Sequence, residues 1–361
     1  MPDLSVIVPV YNGAGFIDKT VHMILDAFGS LEGEIILIND GSTDTSGLVC
    51  AQLAREYGNV FAYDKENGGV AEARNYGLDR AKGQYVCVFD QDDSLSSSYE
   101  PSLTKLIASQ ADFLIANYST DTNGRRAMVR EIQETKLVSG AEKDGYAVKI
   151  LGKDLVPTIP SRGIPCLTNV IWRCIFKRAF MENAGLRFFS FVDIEDDMLL
   201  LSNALLNANS VLLTDDYFYV WNIRPTSTSH SAHYVPDLTQ KWDALLTWID
   251  GRFDDLKIPK DKRLVYDKYQ AQYFLYSFFL NEEARQPLRY EALASELSQV
   301  TESVKTRLDS LQEVRSRKPS WMTSRNYRYQ MFICNLLLRG HTRMAHEINS
   351  HIIKRRFVGL V

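Results

Sequence analysis

The sequence predicts an α/β fold, a doubly wound and mostly parallel sheet followed by a helical C-terminal extension. Over the first third of the 361 residues, apolar runs rich in Val and Ile alternate with helix-like stretches. The apolar runs are continuous, as expected for strands buried on both faces of a parallel sheet. From about Pro236 onward the pattern is helical, with three or four amphipathic segments.

Four predicted strands open the chain: "LSVIVPV" (4–10), "EIILIND" (34–40), "NVFAYD" (59–64) and "QYVCVFD" (84–90). The predicted helices between them are Phe16–Phe28, Thr45–Tyr57 and Val70–Lys82. A glycine lies where each helix is followed by the next strand, a common position for ending a helix. Strands and helices that alternate in this order are typical of a doubly wound sheet. "ADFLIANY" (111–118) is a candidate further strand.

The remainder is less regular. Residues 119–165 are rich in polar residues, Gly and Pro, so we expect loops and short elements there. A second organised block covers roughly 166–222. We therefore divide the chain into residues 1–118, 119–235 and 236–361.

Composition favours an ordinary globular protein of the cytoplasm. The chain is 45% apolar and 24% charged, which suffices for a large core without cross-links. Its five cysteines form no CxxC pair and mostly lie in apolar runs, so we interpret them as reduced core thiols. The N-terminus has no basic leader, and no apolar stretch approaches the ~20 residues that span a bilayer.

The charge is unevenly distributed. From Arg315 to Val361 there are ten Lys/Arg and one acid, a net of +9, which leaves −13 for the rest because the whole chain carries −4. Basic residues interleaved with aromatics are compatible with nucleic acid, with the inner face of the plasma membrane, or with a packing appendage. The acidic body disfavours nucleic acid, so a peripheral membrane contact and a packing appendage remain.

Polar residues follow three of the predicted strands. Tyr11-Asn12 follows the first strand, "NDGSTD" (39–44) ends the second, and "DQDD" (90–93) ends the fourth. In an open α/β sheet ligands bind at the carboxyl ends of the strands, so a strand order of 3-2-1-4 would bring Tyr11, Asp40 and Asp90 to one cleft. The alternative for "NDGSTD" is a turn followed by a helix cap.

The three aspartates of "DQDD" are harder to explain by local structure. Carboxylates this close repel one another, and a single aspartate would suffice as a cap. A hard divalent cation bound by oxygen ligands, Mg²⁺ or Mn²⁺, would relieve the repulsion. The sequence therefore predicts a cation at the end of the fourth strand.

Four stretches together resemble the family 2 glycosyltransferases, which have the GT-A fold. They are "SVIVPVYN" (5–12), "LINDGSTD" (37–44), "NGGVAEARNYGL" (67–78) and "GQYVCVFDQDD" (83–93). The block "NVIWRCIFKRAFMENAGLRF…IEDD" is similar to the acceptor half of bacterial capsule, lipopolysaccharide and exopolysaccharide members. The resemblance extends over about residues 4–230 and implies donor binding by 1–118 and acceptor binding by 119–235.

This resemblance implies an inverting, metal-dependent transferase that uses a nucleotide-sugar, usually a UDP-sugar. Tyr11 would stack on the uracil, Asp40 would accept a hydrogen bond from its N3–H, and Arg74 would lie beneath the donor. "DQD" corresponds to the DxD motif, with Asp90 near the ribose and Asp92 on the metal. The implied donor site comprises Pro9, Tyr11, Asn12, Asp40, Asn67, Arg74, Asp90, Gln91 and Arg224.

The acceptor hydroxyl needs a base, which the resemblance places in "VDIEDDML" (192–199). Glu195-Asp196 matches the family's Glu-Asp pair, with Asp196 as the base. A shift of one position would select Asp197, and Asp193 is a more remote alternative. Acids at a helix N-terminus also have a purely structural explanation, because they favour the helix dipole.

The following loop, within 217–234, combines aromatics with Ser, Thr and His. Arg224 is a candidate phosphate ligand, and His230 or His233 is a candidate to complete a metal site with Asp90 and Asp92. Trp172 and Trp221 are candidates for stacking on sugars, with core packing as the alternative for each.

The predicted function is transfer of a sugar to a saccharide or lipid-linked saccharide in cell-surface polysaccharide biosynthesis. One alternative is a catalytically inactive glycosyltransferase-like assembly subunit, although the DxD motif and the Glu-Asp pair are both intact. A nucleotidyltransferase ranks lower, because "VYNGAGF" lacks the basic residue expected in a phosphate-binding loop after the first strand.

Overall fold

A computed structural model of the chain describes residues 1–97, 99–152, 155–156, 164, 167–189, 196–224, 234–284, 290–319 and 322–349. It divides into two compact units. The first comprises Met1–Leu151 and Ile159–Pro225, and the second comprises Gly152–Thr158 and Thr226–Val361.

The first unit begins with the predicted alternation of strands and helices. Its elements are β1 (Leu4–Val10), α1 (Ile17–Phe28), β2 (Gly33–Asp40), α2 (Ser46–Glu56), β3 (Val60–Lys65), α3 (Val70–Leu78) and β4 (Tyr85–Val88). All seven residues of β1 are buried, which explains why its apolar run is continuous. Helix α3 packs closely on this strand, since a Cβ at Gly77 would lie 2.4 Å from the Ile7 side chain.

Further strands and helices complete the first unit. They are β5 (Ser94–Leu95), α4 (Glu100–Ser109), β6 (Phe113–Thr122), β7 (Arg125–Val129), β8 (Lys136–Ser139), α5 (Gly140–Leu151), β9 (Cys174–Lys177), α6 (Arg178–Asn183), α7 (Asp196–Asn207) and β10 (Ser210–Asn222). Strand β6 confirms the candidate strand at 111–118.

The described strands form one mixed sheet in the order β3-β2-β1-β4-β9-β6-β10-β5, with β7 paired to β6 and β8 to β10. Strand β1 pairs in parallel with both β2 and β4, which confirms the order 3-2-1-4. Strands β6 and β10 are also parallel to each other, whereas β9 runs antiparallel to both of its neighbours. The carboxyl ends of β1, β2 and β4 therefore meet at one edge of the sheet.

The expectation of loops and short elements across 119–165 was partly wrong. Strand β6 continues to Thr122 and turns through Asn123-Gly124, both at positive φ, into β7. Such a two-residue Asn-Gly turn suits a hairpin, but β7 reads "RRAMV" and is mostly exposed, so it lacks a buried strand's apolar pattern. Helix α5 was missed because two glycines lower its helix propensity, while its buried residues hold it in place.

The second unit is helical, as predicted. Its main helices are α8 (Leu238–Asp255), α9 (Lys260–Ala284), α10 (Tyr290–Asp309) and α11 (Ser324–Leu338). Within the described residues, no helix combines the length and apolarity required to cross a membrane.

Candidate active site

Hydrogen bonds connect the end of β1 to the loops that follow β2 and β4. The Asn12 side chain accepts the backbone N–H of Thr43 at 2.8 Å and that of Asp44 at 3.3 Å. The Gln91 side chain donates to the Tyr11 carbonyl at 2.9 Å and accepts the Tyr11 N–H at 3.2 Å. Pro9 is buried within β1, whereas Tyr11 is 48% exposed. This arrangement presents one aromatic face at the edge of the sheet.

Asp40 holds the loop that opens helix α3. Its buried carboxylate accepts the N–H of Gly68 at 3.0 Å and that of Gly69 at 2.9 Å. Lys65, which is paired with Asp40 across β2 and β3, donates to the same carboxylate at 2.5 Å. The exposed Asn67 donates to the Asp40 carbonyl at 2.8 Å. Sequence reasoning missed Lys65, because only the observed pairing of β2 with β3 places it opposite Asp40.

The three aspartates after β4 have three different environments. Asp90 accepts a hydrogen bond from Arg74 at 3.1 Å, and its side chain is 31% exposed. Asp92 forms an ion pair with Arg224 at 2.6 Å, and its side chain is 30% exposed. Asp93 is buried and accepts the Tyr219 hydroxyl at 2.6 Å and the Asn222 N–H at 2.7 Å. Two arginines and a tyrosine thus face the three carboxylates.

Burial and mutual repulsion act on these carboxyl groups. Burial raises the pKa of Asp92, Arg224 partly lowers it, and the charge of Asp90 raises it again. Burial raises the pKa of Asp93 to about 8, with a further contribution from Asp90. A cation beside Asp92 would act against this rise in its pKa.

Arg224 bonds both the carboxylate and the main chain of Asp92. In addition to the ion pair, its guanidinium donates to the Asp92 carbonyl. It lies 4.6 Å from the centroid of the Phe16 ring, a cation–π contact. The structure therefore places the predicted phosphate ligand next to the predicted metal ligand. Phe16, at 40% exposure, was not identified from the sequence.

Arg74 connects the end of β4 with the start of α7. Its guanidinium is 3.1 Å from Asp90, 3.1 Å from Asp196 and 2.8 Å from Asp197. The Arg74 side chain is only 6% exposed, and the Phe188 ring lies 5.1 Å from its guanidinium carbon. Burial lowers the pKa of Arg74, but the three carboxylates together raise it above its ordinary value. Residues about 120 positions apart in the sequence therefore share one buried cation.

The two aspartates of α7 differ in how their oxygens are used. Asp197 Oδ1 accepts from Arg74, while its Oδ2 accepts the Ile171 N–H at 3.1 Å. Burial raises the pKa of Asp197 to about 7, Arg74 lowers it in part, and Asp196 raises it. Asp196 uses Oδ2 for Arg74, and no hydrogen bond from the described residues reaches its Oδ1. Among the described residues, Asp196 therefore has one oxygen that accepts no hydrogen bond, whereas both oxygens of Asp197 accept one.

A buried ion pair supports the segment that leads to Ile171. The fully buried Arg173 pairs with Glu131 at 2.7 Å and donates to the Thr168 carbonyl at 2.7 Å. Glu131 also accepts the Thr168 N–H at 3.0 Å. Neither charged residue was predicted from the sequence, because they are 42 positions apart and outside any recognised motif.

Trp172 and Trp221 were each predicted to stack on a sugar or to pack in the core. Trp172 is 5% exposed and stacks on Tyr219 with ring centroids 4.1 Å apart, so it is a core residue rather than a sugar platform. Trp221 is partly buried and packs against the core. Four cysteines are buried and free, as expected, and Cys166 lies outside the described residues.

Several candidates cannot be placed. Asp193, Glu195, His230 and His233 lie outside the described residues. Among the residues that are described, no group of three or more His, Cys, Asp or Glu side chains forms a metal site. Of the metal ligands predicted from the sequence, Asp90 and Asp92 are the two that lie within the described residues.

Comparison with known proteins relates part of this chain to glycosyltransferases. Residues 5–158 match the model of Glycosyl transferase family 2. The chain is 28% identical over 229 residues, 63% of each chain, to the uncharacterized glycosyltransferase EpsJ of Bacillus subtilis. It is 41% identical over 96 residues to the minor teichoic acid biosynthesis protein GgaB of the same species, which covers 26% of this chain and 11% of that one. Each match spans less than two thirds of the relative's length.

The fold is also that of a solved structure. The crystal structure of S. aureus TarS 1-349 in complex with UDP-GlcNAc aligns with a TM-score of 0.56 at 18% identity. The alignment covers 97% of this chain and 92% of the TarS chain. At this identity the likeness establishes the fold alone, an α/β GT-A-like domain with a helical C-terminal region.

Proposed function

We propose that the chain is a metal-dependent, inverting glycosyltransferase that moves a sugar from a nucleotide-sugar to a saccharide acceptor. One observation carries this proposal: a single buried guanidinium, Arg74, gathers Asp90 of the DxD motif with Asp196 and Asp197 of α7. Carboxylates expected at the donor and at the acceptor thereby lie within reach of the same group. The family 2 match and relatives named as glycosyltransferases support the same reaction class.

A UDP-sugar is the donor to test first. A protein with the same fold, S. aureus TarS, has been crystallised with UDP-GlcNAc. In this chain the exposed Tyr11 ring at the end of β1 offers a stacking face for a base. Asp40 lies at the end of the adjacent strand, where its Oδ2 accepts one backbone hydrogen bond from the described residues and retains a further lone pair.

The residues at the end of β4 fit a divalent cation. Asp90 and Asp92 supply hard oxygen ligands that are each about a third exposed. The repulsion and burial that raise the pKa of Asp92 would be offset by a positive ion. Asp92 would hold the ion, with Asp90 beside it and His233 as a further candidate. A bound Mn²⁺ or Mg²⁺ would supply positive charge to the departing diphosphate.

Asp196 is the proposed base. It is oriented by Arg74 and keeps Oδ1 without a described hydrogen bond, so that oxygen can accept the proton of an acceptor hydroxyl. Asp197 has both oxygens engaged, by Arg74 and by the Ile171 N–H, which suits a positioning residue. Direct attack by the hydroxyl on the face opposite the diphosphate inverts the anomeric centre. Glu195, the neighbour of Asp196, completes the proposed pair.

The proposed acceptor is a saccharide or lipid-linked saccharide of a cell-surface polymer. A relative named in minor teichoic acid biosynthesis supports this class of product. The inactive-subunit alternative predicts donor binding without turnover, and the nucleotidyltransferase alternative predicts release of diphosphate rather than of a nucleoside diphosphate. Product analysis separates these three functions.

Calorimetric titration of UDP, with and without Mn²⁺, tests the donor site. We expect Mn²⁺-dependent binding that Asp92→Ala abolishes, whereas Asp26→Ala, an exposed aspartate on α1, leaves it unchanged. Absence of binding with UDP, GDP, CMP and dTDP alike would overturn the proposal.

Turnover with a panel of UDP-sugars tests the base. We expect Asp196→Asn to retain UDP binding and to lower kcat by roughly 100-fold or more. A larger loss for Asp197→Asn than for Asp196→Asn would assign the base to Asp197 instead.

A further inference from the structure

One face of helix α11 combines basic residues with an exposed aromatic ring. Its exposed positions include Arg325, Arg328, Phe332 and Asn335, and Arg339 follows directly at the C-cap. At 100° per residue these five positions lie within about 80° of one another, so they form one stripe along the helix. We call these five residues the α11 stripe. Phe332, near its middle, is 47% exposed.

The opposite face of α11 packs into the core of the second unit. Its buried residues include Ile333, Cys334, Leu336 and Leu337. The Cys334 thiol also donates to the Gln272 carbonyl of α9 at 3.0 Å. The helix is thus held by its apolar face, and the α11 stripe faces outward.

The charges of the α11 stripe have no acidic counterpart nearby. The sequence contains no Asp or Glu between Arg315 and His346. Among the described residues, no carboxylate pairs with Arg325, Arg328 or Arg339, and Arg328 contacts only its own helix at the Ser324 carbonyl. An acid three or four positions away on the same helix would pair with these arginines, and α11 contains none.

We propose that the α11 stripe docks on an anionic lipid surface. Three guanidinium groups on one helix face complement a layer of lipid phosphates, while Phe332 supplies an apolar side chain that enters the headgroup region. A soluble polyanion or a DNA duplex would use the arginines but offers no apolar layer for the exposed ring to enter. This inference rests on the second unit alone and goes beyond the proposed sugar transfer.

Flotation of the full chain with vesicles tests the docking. We expect binding to vesicles of equal parts phosphatidylglycerol and phosphatidylcholine, none to phosphatidylcholine alone, and release as salt is raised. The triple variant R325Q/R328Q/R339Q should bind at least tenfold more weakly, since each arginine near an anionic surface is worth roughly fivefold. The matched variant R55Q/R125Q/R126Q removes three exposed arginines of the first unit and should stay within about twofold of wild type.

The aromatic ring has its own control. Phe332→Ser should weaken vesicle binding several-fold, whereas Ile107→Ser, at a position 49% exposed on α4, should not. Equal binding to neutral vesicles, or unchanged binding by the triple variant, would overturn the inference. So would an unchanged Phe332→Ser variant together with tighter binding to a DNA duplex, which would reassign the stripe to polyanions. UDP titration of the same variants keeps this outcome separate from failure of the donor site.

Discussion

Replacing Arg74 by glutamine removes the cation that three carboxylates share. The guanidinium is 6% exposed and lies 2.8–3.1 Å from Asp90, Asp196 and Asp197, whose side chains are 20–31% exposed. Breaking a fully buried ion pair costs about 3–5 kcal/mol, whereas an exposed pair is worth about 0–1 kcal/mol. Since the partners are partly exposed, we expect Arg74→Gln to lower the free energy of unfolding by roughly 3 kcal/mol at pH 8.

The loss should depend on pH in a defined direction. The pKa of Asp197 is about 7 in the folded protein, against 3.8 for an ordinary aspartate, and loss of Arg74 would raise it further. A carboxyl group with a raised folded pKa contributes stability that is complete below its unfolded pKa and is lost as pH rises through the folded pKa. The destabilisation by Arg74→Gln should therefore be largest at pH 8 and smallest near pH 5.

Urea denaturation at pH 5 and pH 8 measures this effect. The control is Arg187→Gln, which breaks an exposed pair with Asp79 and should cost at most about 1 kcal/mol at either pH. A loss for Arg74→Gln that is equal at both pH values would refute the reasoning. A loss no larger than that of the control would refute it as well.

Three further predictions concern other residues of the first unit. Asp93→Asn should gain stability relative to wild type as pH rises from 6 to 8, by roughly 1 kcal/mol per pH unit, because the raised pKa of Asp93 makes its ionisation unfavourable in the folded protein. Urea denaturation at both pH values measures this. A difference in the free energy of unfolding between variant and wild type that stayed constant would contradict the prediction. Gly41→Ala should lower the free energy of unfolding by about 1–3 kcal/mol, since Gly41 has φ +67° and a Cβ there would lie 2.7 Å from the backbone nitrogen of Asn67. Thermal denaturation measures the loss, with Gly58→Ala as the control because nothing lies within 4 Å of a Cβ at that position. Glu131→Gln should cost about 3–5 kcal/mol because it leaves Arg173 buried without its carboxylate, and a loss in urea denaturation as small as that of an exposed ion pair would contradict the expectation.

The parallel half of the sheet was predictable because its signal is local. A strand buried on both faces must be apolar throughout, and the runs at 4–10 and 34–40 show this directly. The helices between them constrain the topology to a doubly wound sheet. Once that topology holds, the polar residues after each strand must meet at one edge, which is why Tyr11 and Gln91 form the contacts they do.

Elements without that local signal were missed. Strand β7 is exposed and charged, and helix α5 is interrupted by glycine, so neither has the periodicity expected of its class. Trp172 could equally have been a ligand platform or a core residue until the stacked Tyr219 decided the matter. Burial of one aromatic ring depends on segments that fold against it from elsewhere in the chain.

By itself the sequence determined which residue types stand at the carboxyl ends of the strands, and thus the kind of chemistry available there. Only the tertiary structure decided which charges neutralise one another: Arg74 with Asp196 and Asp197, and Arg224 with Asp92, across 122 to 132 positions. The physical reason is range. Strand and helix patterns arise from neighbours within a few residues, whereas an ion pair in a cleft exists only when distant segments dock, and its strength depends on the burial that docking creates.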